Sequence, residues 1–472
     1  METISVRDMQ ILDINCEYFG LSRIQLMESA GKSVADEIKK RFTEKNIAIF
    51  AGSGNNGGDS FVAARHLKNF NVEIYVVTGV KNIKSDLSRK NLEILSSSGY
   101  KIKEGFPDRI DADIIIDGML GTGIKGKPRE PYLSAIKLIN NSDSYVIAID
   151  LPSGLDADTG DFDEAVKADL TITFHKLKRG MLKAKELCGE IIVKDIGIPN
   201  SFENRCGVGD LLLCYKREKL GHKGSHGRVL VIGGGDYTGA PAISSLAAYA
   251  AGADIVTTVV PKNIRNIVAS FSPNLIVRSV EGKRFSLRNI NEISKLIKKH
   301  NVVLIGIGVG ENEEFAEFVS EILKYCSKAV LDAEGIIDDI PEDVECIITP
   351  HVGEFKRVFG DPDREYVKKV AKRLGCTILL KGPEDFITNG TKWKVNKTGN
   401  PGMTVGGTGD VLSGVTAALF CNDSDFYSAC ASAFVNGIAG EICYEDYGYN
   451  FTAIQLISKL PIAFKRCLNF LH

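Results

Sequence analysis

Short runs of β-branched and aliphatic residues alternate with amphipathic stretches along the whole chain. In the first half, runs at 47–51, 72–78 and 113–117 are separated by stretches whose apolar residues have helical spacing, as at 59–69 and 86–97. Continuous apolar runs are typical of strands buried on both faces, and their alternation with helices is typical of a parallel sheet. The pattern predicts an α/β protein that binds ligands at the carboxyl ends of parallel strands.

The same alternation continues into the second half, with one interruption. Further strands are predicted at 145–150, 168–174, 191–196, 229–232, 255–260, 275–280, 302–307, 329–332, 346–349 and 377–381. Asn389-Gly390 between β-forming residues predicts a hairpin, and the last seventy residues are mostly helical in pattern. A polar, glycine-containing stretch at 199–217 interrupts the alternation, and a chain of 472 residues is long enough for two or three domains. We predict two α/β domains, residues 1–212 and 213–472.

Composition and charge restrict the class of protein. Hydrophobic residues make up 44% and charged residues 25%, and the net charge of −2 leaves no overall positive field for nucleic acid or an anionic membrane. No run approaches the ~18 apolar residues of a membrane span, and the first residues lack a secretory pattern. The eleven cysteines include no C-x-x-C pair, and His222 and His226 lie among glycines, which disfavours a metal site. We expect a cytoplasmic protein that binds neither nucleic acid nor membrane.

A glycine-rich loop follows the first predicted strand of the chain. Residues 52–59, GSGNNGGD, contain G-x-G-x-x-G, and glycines there let backbone amides approach an anion at a helix start. The next strand does not end in the acidic residue of a dinucleotide fingerprint, which disfavours an ordinary nicotinamide dehydrogenase. Asn55, Asn56 and Asp59 add oxygen atoms that suit a hard cation or the hydroxyls and amide of a substrate.

Two more loops of the first half follow predicted strands. Residues 121–127, GTGIKGK, match the first seven positions of a Walker A loop, but Pro128 replaces the hydroxyl residue that holds Mg²⁺. We therefore expect backbone amides and Lys127 to hold a phosphate without NTPase chemistry. Asp117 and Asp150 stand at the ends of neighbouring predicted strands, so they are candidate site residues as well as possible turn and capping residues.

The second half carries its strongest chemical signal at 400–410, NPGMTVGGTGD. Its glycines allow consecutive N–H groups to converge at a helix start, where they would stabilise charge that develops during phosphoryl transfer. Asp410 at that helix start is placed to take a proton from an attacking hydroxyl, if burial or an anionic ligand raises its basicity. The alternative is a carboxylate that only caps the helix.

The motifs of the first half together resemble the NAD(P)H-hydrate epimerase domain, over roughly residues 1–210. The resemblance rests on GSGNNGGD, DGMLGTGIKGK, DLPSGLDADTG, TFHKLKRG and KDIGIP, and it implies a Rossmann-like three-layer αβα sandwich. It implies that Asp150 contacts the substrate ring as acid or base, and that Asn56, Asp117 and Ser153 bind K⁺. Ser60 departs from the glycine usual in the family. The hydrate would also contact Asn55, Asn56, Gly57, Gly58, Asp59, Gly121, Thr122, Gly123, Ile124, Lys125, Gly126 and Lys127.

The second half resembles the ribokinase-like kinases and, within them, the ADP/ATP-dependent NAD(P)H-hydrate dehydratases. Residues 222–234, Tyr237-Thr-Gly-Ala-Pro-Ala, Ala251-Gly-Ala-Asp, Ser272-Pro-Asn and TPHVGE at 349–354 carry this likeness over most of 215–472. Departures are Val309 between two glycines and Glu334 in place of Asp. The resemblance implies that Ala253, Gly310, His351 and Asp410 contact the hydrate, although His351 could instead be a buried core histidine. It places ADP with Mg²⁺ at Lys381, Gly382, Pro383, Glu384, Asp385, Gly406, Gly407, Thr408 and Gly409.

Together the resemblances imply an enzyme that repairs hydrated NADH and NADPH. The first domain would interconvert the R and S hydrates, and the second would dehydrate the S hydrate to NAD(P)H with ADP, giving AMP and phosphate. Two alternatives stay open: a kinase for a small alcohol fused to a dinucleotide sensor, and a first half that only binds its ligand. The sequence also leaves open ADP against ATP and NADH against NADPH, and we expect a homo-oligomer.

Overall fold

The computed structural model describes residues 2–123, 126–217 and 221–471, in two compact units, Met1–Phe202 and Glu203–His472. Residues 203–212, which the sequence analysis assigned to the first domain, lie in the second unit. The reason is local packing: Asp210 is fully buried and forms an ion pair with Lys394 at 2.6 Å. The stretch that looked like a linker thus contains a buried helix.

The first unit is built on a parallel sheet with strand order β4-β3-β2-β5-β6-β7-β9, and a separate short pair joins β1 to β8. Its elements are β1 (Thr3–Ile4), α1 (Val6–Tyr18), α2 (Arg23–Arg41), β2 (Asn46–Ala51), α3 (Asn55–His66), β3 (Asn71–Val76), α4 (Asp86–Ser97), β4 (Ile102–Glu104), β5 (Ile114–Gly118), α5 (Tyr132–Asn140), β6 (Tyr145–Ile149), β7 (Leu170–Phe174), β8 (Leu177–Lys178), α6 (Lys185–Cys188), β9 (Glu190–Lys194) and α7 (Asn200–Glu203).

Both faces of this sheet are covered, as the continuous apolar runs predicted. Along β2, Ile47 and Ile49 pack on one face in a core shared with α2 and α3, whereas Ala48 and Phe50 pack on the other face with α5. Successive side chains of a strand point to opposite faces, so an all-apolar strand needs a helical layer on each side. The predicted Rossmann-like three-layer αβα sandwich is confirmed.

The second unit has strand order β12-β11-β10-β13-β14-β15-β16-β17-β18, parallel from β12 to β16. Its elements are α8 (Val208–Cys214), β10 (Arg228–Ile232), α9 (Gly239–Ala250), β11 (Ile255–Pro261), α10 (Arg265–Ser270), β12 (Ile276–Val280), α11 (Ile290–Ile297), β13 (Val302–Ile305), α12 (Phe315–Leu323), β14 (Lys328–Leu331), β15 (Glu345–Ile348), α13 (Val352–Phe359), α14 (Arg364–Leu374), β16 (Thr377–Leu380), β17 (Asp385–Thr388), β18 (Trp393–Asn396), α15 (Thr408–Phe420), α16 (Asp425–Tyr447) and α17 (Ala453–Leu468).

The predicted hairpin at Asn389-Gly390 is confirmed, since β17 and β18 pair antiparallel and Gly390 has φ +85°. Both α15 and α16 are buried over most of their length, which fits their small and apolar residues. In the part of the chain described, no helix combines the length and the apolar character that a membrane crossing would need. In each unit the strand order reverses next to the first strand, at β2/β5 and at β10/β13, and such points form ligand crevices.

Candidate functional site

A cavity of about 530 Å³ lies in the first unit, where the loops after β2, β5 and β6 meet. This is the size of a small-molecule site. The predicted residues that line it are Asn55, Asn56, Asp59, Gly121, Thr122, Gly123 and Asp150. Parallel strands end at one edge of the sheet, so residues distant in sequence meet there.

The remaining predicted residues of these loops that the structure describes do not line the cavity. Gly57 packs on the carbonyl of Gly52, where an added Cβ would be 2.1 Å from that oxygen, so Gly57 allows a close backbone approach. Gly58 is buried in the same turn, and Gly126 and Lys127 are exposed and absent from the cavity wall. Ile124 and Lys125 lie outside the described residues.

Three oxygen-bearing side chains form a buried cluster beside the cavity. Asp117 accepts hydrogen bonds from the Ser153 Oγ at 2.6 Å and the Ser153 backbone N–H at 2.8 Å. The carbonyl of Leu120 accepts from Asn56 Nδ2 at 3.2 Å and from Ser153 Oγ at 3.3 Å. The Asn56 Oδ1 is buried with no hydrogen-bond partner among the described residues. Burial raises the pKa of Asp117 to about 6.

Ser60, the departure from the family pattern, is accommodated. Its side chain is fully buried and its hydroxyl donates to the Asn56 carbonyl at 3.0 Å. It lies against Gly118, where a Cβ would be 1.7 Å from the Ser60 Oγ. The hydroxyl therefore occupies space that the glycine of β5 leaves free, and it ties the α3 backbone that carries Asn56.

Asp150 is held in one orientation by a buried lysine. The Lys178 ammonium, in β8, contacts the Asp150 Oδ1 and also donates to the Thr173 Oγ at 3.0 Å and to the Phe174 carbonyl at 3.1 Å. Lys178 is only 1% exposed, so this ion pair is shielded from solvent. The backbone of Asp150 has φ +66°, the left-handed region that a non-glycine residue adopts at a cost in energy.

Lys178 and Asp13 line this cavity, and the sequence analysis assigned no role to either of them. Lys178 was within a recognised motif but had no assigned role, and Asp13 of α1 was not considered. The signal for Asp13 was its position: Met9, Asp13 and Cys16 follow helical spacing, so an acid interrupts a stripe that is otherwise apolar. Burial raises the pKa of Asp13 to about 7, and burial also raises that of Asp59.

In the second unit, a group of charged residues surrounds the start of α15. The Lys381 ammonium, just after β16, lies 2.9 Å from Asp332 Oδ1 and 3.7 Å from Glu354 Oε2. Burial lowers the pKa of Lys381, but these two carboxylates raise it more. Burial and then the nearby Asp332 carboxylate raise the pKa of Asp410 to about 7, although Lys381 opposes this. A pKa in this range is the one that a general base at neutral pH needs, which is the condition that the sequence analysis set for Asp410.

The glycine loop before α15 contains a left-handed backbone position directly before the helix. Gly407 is the N-cap with φ +93°, which glycine adopts without strain. An added Cβ on Gly409 would lie 3.4 Å from the Lys381 Nζ, so the ammonium lies close to the first turn of α15. The Thr408 hydroxyl donates to the carbonyls of Met403 at 2.6 Å and Val405 at 2.9 Å, so it holds the loop.

The predicted nucleotide segment at 381–385 continues this edge of the sheet. Gly382 and Pro383 are exposed, and the Asp385 carboxylate accepts from the Gly382 N–H at 3.2 Å and from Asn396 Nδ2 at 3.0 Å. Glu384 forms exposed ion pairs with Lys397 and Arg364. The Asp385 carboxylate thus stabilises the turn at 382–385, whose residues Gly382 and Pro383 are open to solvent.

The predicted hydrate residues of this unit are not all brought together. His351 follows β15 at the same edge as Asp410; its side chain is exposed and caps α13, so the interpretation as a buried core histidine is wrong. Gly310, beyond β13, has φ +72° and packs on Asp236. Ala253 precedes β11 and therefore lies at the opposite, amino-end edge of the parallel sheet. Within one chain, Ala253 does not meet Asp410.

Comparisons with known proteins agree with the division into two units. The family described as "YjeF-related protein N-terminus" matches residues 23–180, and the family described as "NAD(P)H-hydrate dehydratase" matches residues 229–462. A protein of Archaeoglobus fulgidus named "Bifunctional NAD(P)H-hydrate repair enzyme Nnr" is 62% identical over 470 residues, covering 100% of both chains. One of the same name from Methanothermobacter thermautotrophicus is 42% identical, covering 96% of this chain and 94% of its own.

A solved structure is also similar: the ADP/ATP-dependent NAD(P)H-hydrate dehydratase of Bacillus subtilis, co-crystallized with ATP/Mg²⁺. It is 25% identical, covers 53% of this chain and 94% of its own, and has a TM-score of 0.48.

The two sheets and the matched families define a two-domain α/β enzyme, with a YjeF-related N-terminal unit followed by a unit of the NAD(P)H-hydrate dehydratase type. More narrowly, the chain belongs to the family of bifunctional NAD(P)H-hydrate repair enzymes.

Proposed function

We propose that this chain returns hydrated NADH and NADPH to their usable forms in two steps. The first unit interconverts the R and S hydrates, and the second uses ADP to dehydrate the S hydrate, with AMP and phosphate as products. The observation that carries this proposal is the Asp410 carboxyl, whose pKa is about 7, beside the Gly406–Gly409 amides and Lys381.

The chemical problem in the second unit is a poor leaving group. Hydroxide leaves carbon slowly, whereas phosphate leaves readily, so transfer of a phosphoryl group to the 6-hydroxyl prepares the elimination that restores the dihydropyridine. Asp410 accepts the hydroxyl proton as the oxygen attacks phosphorus. The amides at the start of α15 and the Lys381 ammonium stabilise the charge on the transferring phosphoryl.

The nucleotide would bring its own metal ion to this site. Mg²⁺ keeps several waters and binds mostly phosphate oxygens, so it needs only one or two carboxylates from the protein. Within residues 2–123, 126–217 and 221–471, no cluster of three or more histidine, cysteine or carboxylate side chains is placed to hold a metal. A metal carried by ADP fits this donor set: Asp332 and Glu354 are the nearby carboxylates, and they also hold Lys381.

In the first unit, Asp150 acts as the acid or base at the carbon that carries the hydroxyl. Lys178 and Thr173 hold its carboxylate at the cavity, where the loops at 53–56 and 120–123 would contact the hydrate. Exposed amides of these glycine loops suit the pyrophosphate of a dinucleotide.

K⁺ fits the buried oxygen cluster next to that cavity. Asn56 Oδ1 is buried without a hydrogen-bond partner in the described part of the chain, and the Asp117 carboxylate and Ser153 hydroxyl are fully buried beside it. These are hard oxygen donors with a single negative charge, which suits a monovalent cation. Bound K⁺ would supply positive charge to the loops after β2 and β5, and Asn56, Asp117 and Ser153 would hold it.

The test supplies purified S hydrate with ADP and Mg²⁺ and follows the absorbance band of the reduced nicotinamide. Recovery of the band with release of AMP supports the proposal, and a parallel reaction with ATP identifies the preferred donor. A stable phosphoester without recovery of the band would instead support a kinase for a small alcohol. Pure R hydrate, separated from S by chromatography, then tests the first unit: a protein that leaves it unchanged would reduce that unit to a binding module.

A further inference from the structure

We propose that Asp13 is a second catalytic carboxyl of the first unit, and that Asp13 and Asp150 act as an acid–base pair on the hydroxyl of the hydrate. This inference rests on the proposed epimerase function. Asp13 lies in α1, outside the glycine loops, and reaches the same cavity from a different element.

The helix α1 presents a mixed face to the cavity. Met9, Gln10 and Asp13 line it, whereas the neighbouring Leu12 and Cys16 are buried in the core. Positions i and i+4 of a helix share a face, which brings Met9 and Asp13 to the wall together. Among residues 2–123, 126–217 and 221–471, the Asp13 carboxyl has no hydrogen-bond partner, so it is available to a ligand.

The two carboxyls differ in what surrounds them. Asp150 is paired with the buried Lys178 ammonium and accepts a hydrogen bond from Thr173, which stabilises its negative charge and fixes its position. Among the described residues, Asp13 has no such partner within hydrogen-bond distance. A cation and a hydroxyl thus hold the Asp150 carboxyl in place, whereas the Asp13 carboxyl is open to a ligand.

Charged groups from four elements act on Asp13. Lys178 of β8 and Arg23 of α2 favour its ionised form, Asp150 after β6 disfavours it, and Asp59 of α3 belongs to the same group of carboxyls. Burial outweighs the attraction of Lys178 and raises the pKa of Asp13 to about 7. Near neutral pH, Asp13 therefore exists in both protonated and ionised forms.

Inversion at the hydroxyl-bearing carbon needs one carboxyl that donates a proton and another that accepts one. The ring nitrogen lone pair forms a C=N bond as the C–O bond breaks, and the departing oxygen takes the Asp13 proton and becomes water. Water then adds to the other face of that carbon, the C=N electrons return to nitrogen, and Asp150 takes the released proton. The carbon is inverted, one proton has moved from Asp13 to Asp150, and exchange with water in the cavity restores both groups.

The test is Asp13→Asn in the full chain, with R-to-S conversion measured directly by chromatography. The parent rate should fall as pH rises through about 7, because Asp13 loses the proton that it donates. We expect kcat of the variant at pH 7 to fall by at least ~100-fold, the usual contribution of a general acid, with little change in KM and with no fall in rate through pH 7. Asp13→Glu should recover part of the rate and the pH dependence.

Asp36→Asn on the exposed part of α2 is the matched control and should behave as the parent. A variant Asp13→Asn within twofold of the parent rate, or with the parental pH profile, would overturn the inference. So would loss of the pH-dependent fall in Asp59→Asn but not in Asp13→Asn, which would make Asp59 the acid. A parent protein that does not convert the hydrates at all would instead overturn the epimerase function itself.

Discussion

The replacement Asp410→Asn removes an ionisable group from the second unit and leaves the shape of the side chain. Asparagine cannot accept the hydroxyl proton, so the rate of S-hydrate dehydration should fall by ~10²–10⁴-fold, the range for loss of a general base. At ~1.36 kcal/mol for each tenfold change, this is a loss of about 3–5 kcal/mol of transition-state stabilisation.

The pH dependence gives a second, independent magnitude. With the pKa of Asp410 raised to about 7, the base is ionised in roughly a tenth of the molecules at pH 6 and in roughly nine-tenths at pH 8. The parent rate should therefore rise about tenfold between these pH values, whereas a base with the ordinary pKa of an aspartate would give a flat profile.

The assay follows recovery of the reduced-nicotinamide band from S hydrate, ADP and Mg²⁺ at several pH values. Epimerase activity of the same preparation reports on folding of the first unit, and Asp361→Asn, an exposed carboxylate paired with Lys356, is the matched control. A variant Asp410→Asn that kept a tenth or more of the parent rate and the parental rise with pH would refute the role of Asp410 as base.

Three further predictions each concern one residue. Lys178→Met removes the buried cation at Asp150 and should lower R-to-S conversion at least ~100-fold, with dehydration of S hydrate unchanged. Gly407→Ala places a Cβ on a residue with φ +93°, which costs ~1–2 kcal/mol, and we expect dehydration of the S hydrate to fall strongly. At Gly406 an added Cβ would meet open space, so Gly406→Ala should have a smaller effect. Asn56→Ala should abolish any increase in melting temperature that K⁺ produces relative to Na⁺ in the parent, as measured by thermal denaturation; an increase of unchanged size would contradict the assigned cation site.

Much of the fold was predictable because local patterns encode it. The run at 47–51 is apolar at every position, and the structure buries it on both faces of a parallel sheet. The hairpin at Asn389-Gly390 follows from turn chemistry within two residues. The division of the chain was less predictable, since a polar stretch resembles a linker unless the Asp210–Lys394 ion pair is known.

The candidate sites, too, were partly predictable from the sequence. Loops that follow parallel strands meet at one sheet edge, so Asn56, Asp117 and Asp150 could be grouped from sequence order alone. Ala253 is the counterexample: it precedes the strand predicted at 255–260 and so lies at the opposite edge of the sheet, and only the family resemblance assigned it to the hydrate.

By itself, the sequence determined that glycine loops follow apolar strands, that an acid stands at the start of α15, and that two α/β domains carry them. Only the tertiary structure decided that Asp13 and Lys178 share a cavity with Asp150, and that Lys381 lies between Asp332 and Glu354. The physical reason is the distance along the chain over which each effect acts: periodicity and turn chemistry involve only a few neighbouring residues. The pKa values of Asp13 and Asp410 depend instead on burial and on charges brought together by packing across the sheet edge.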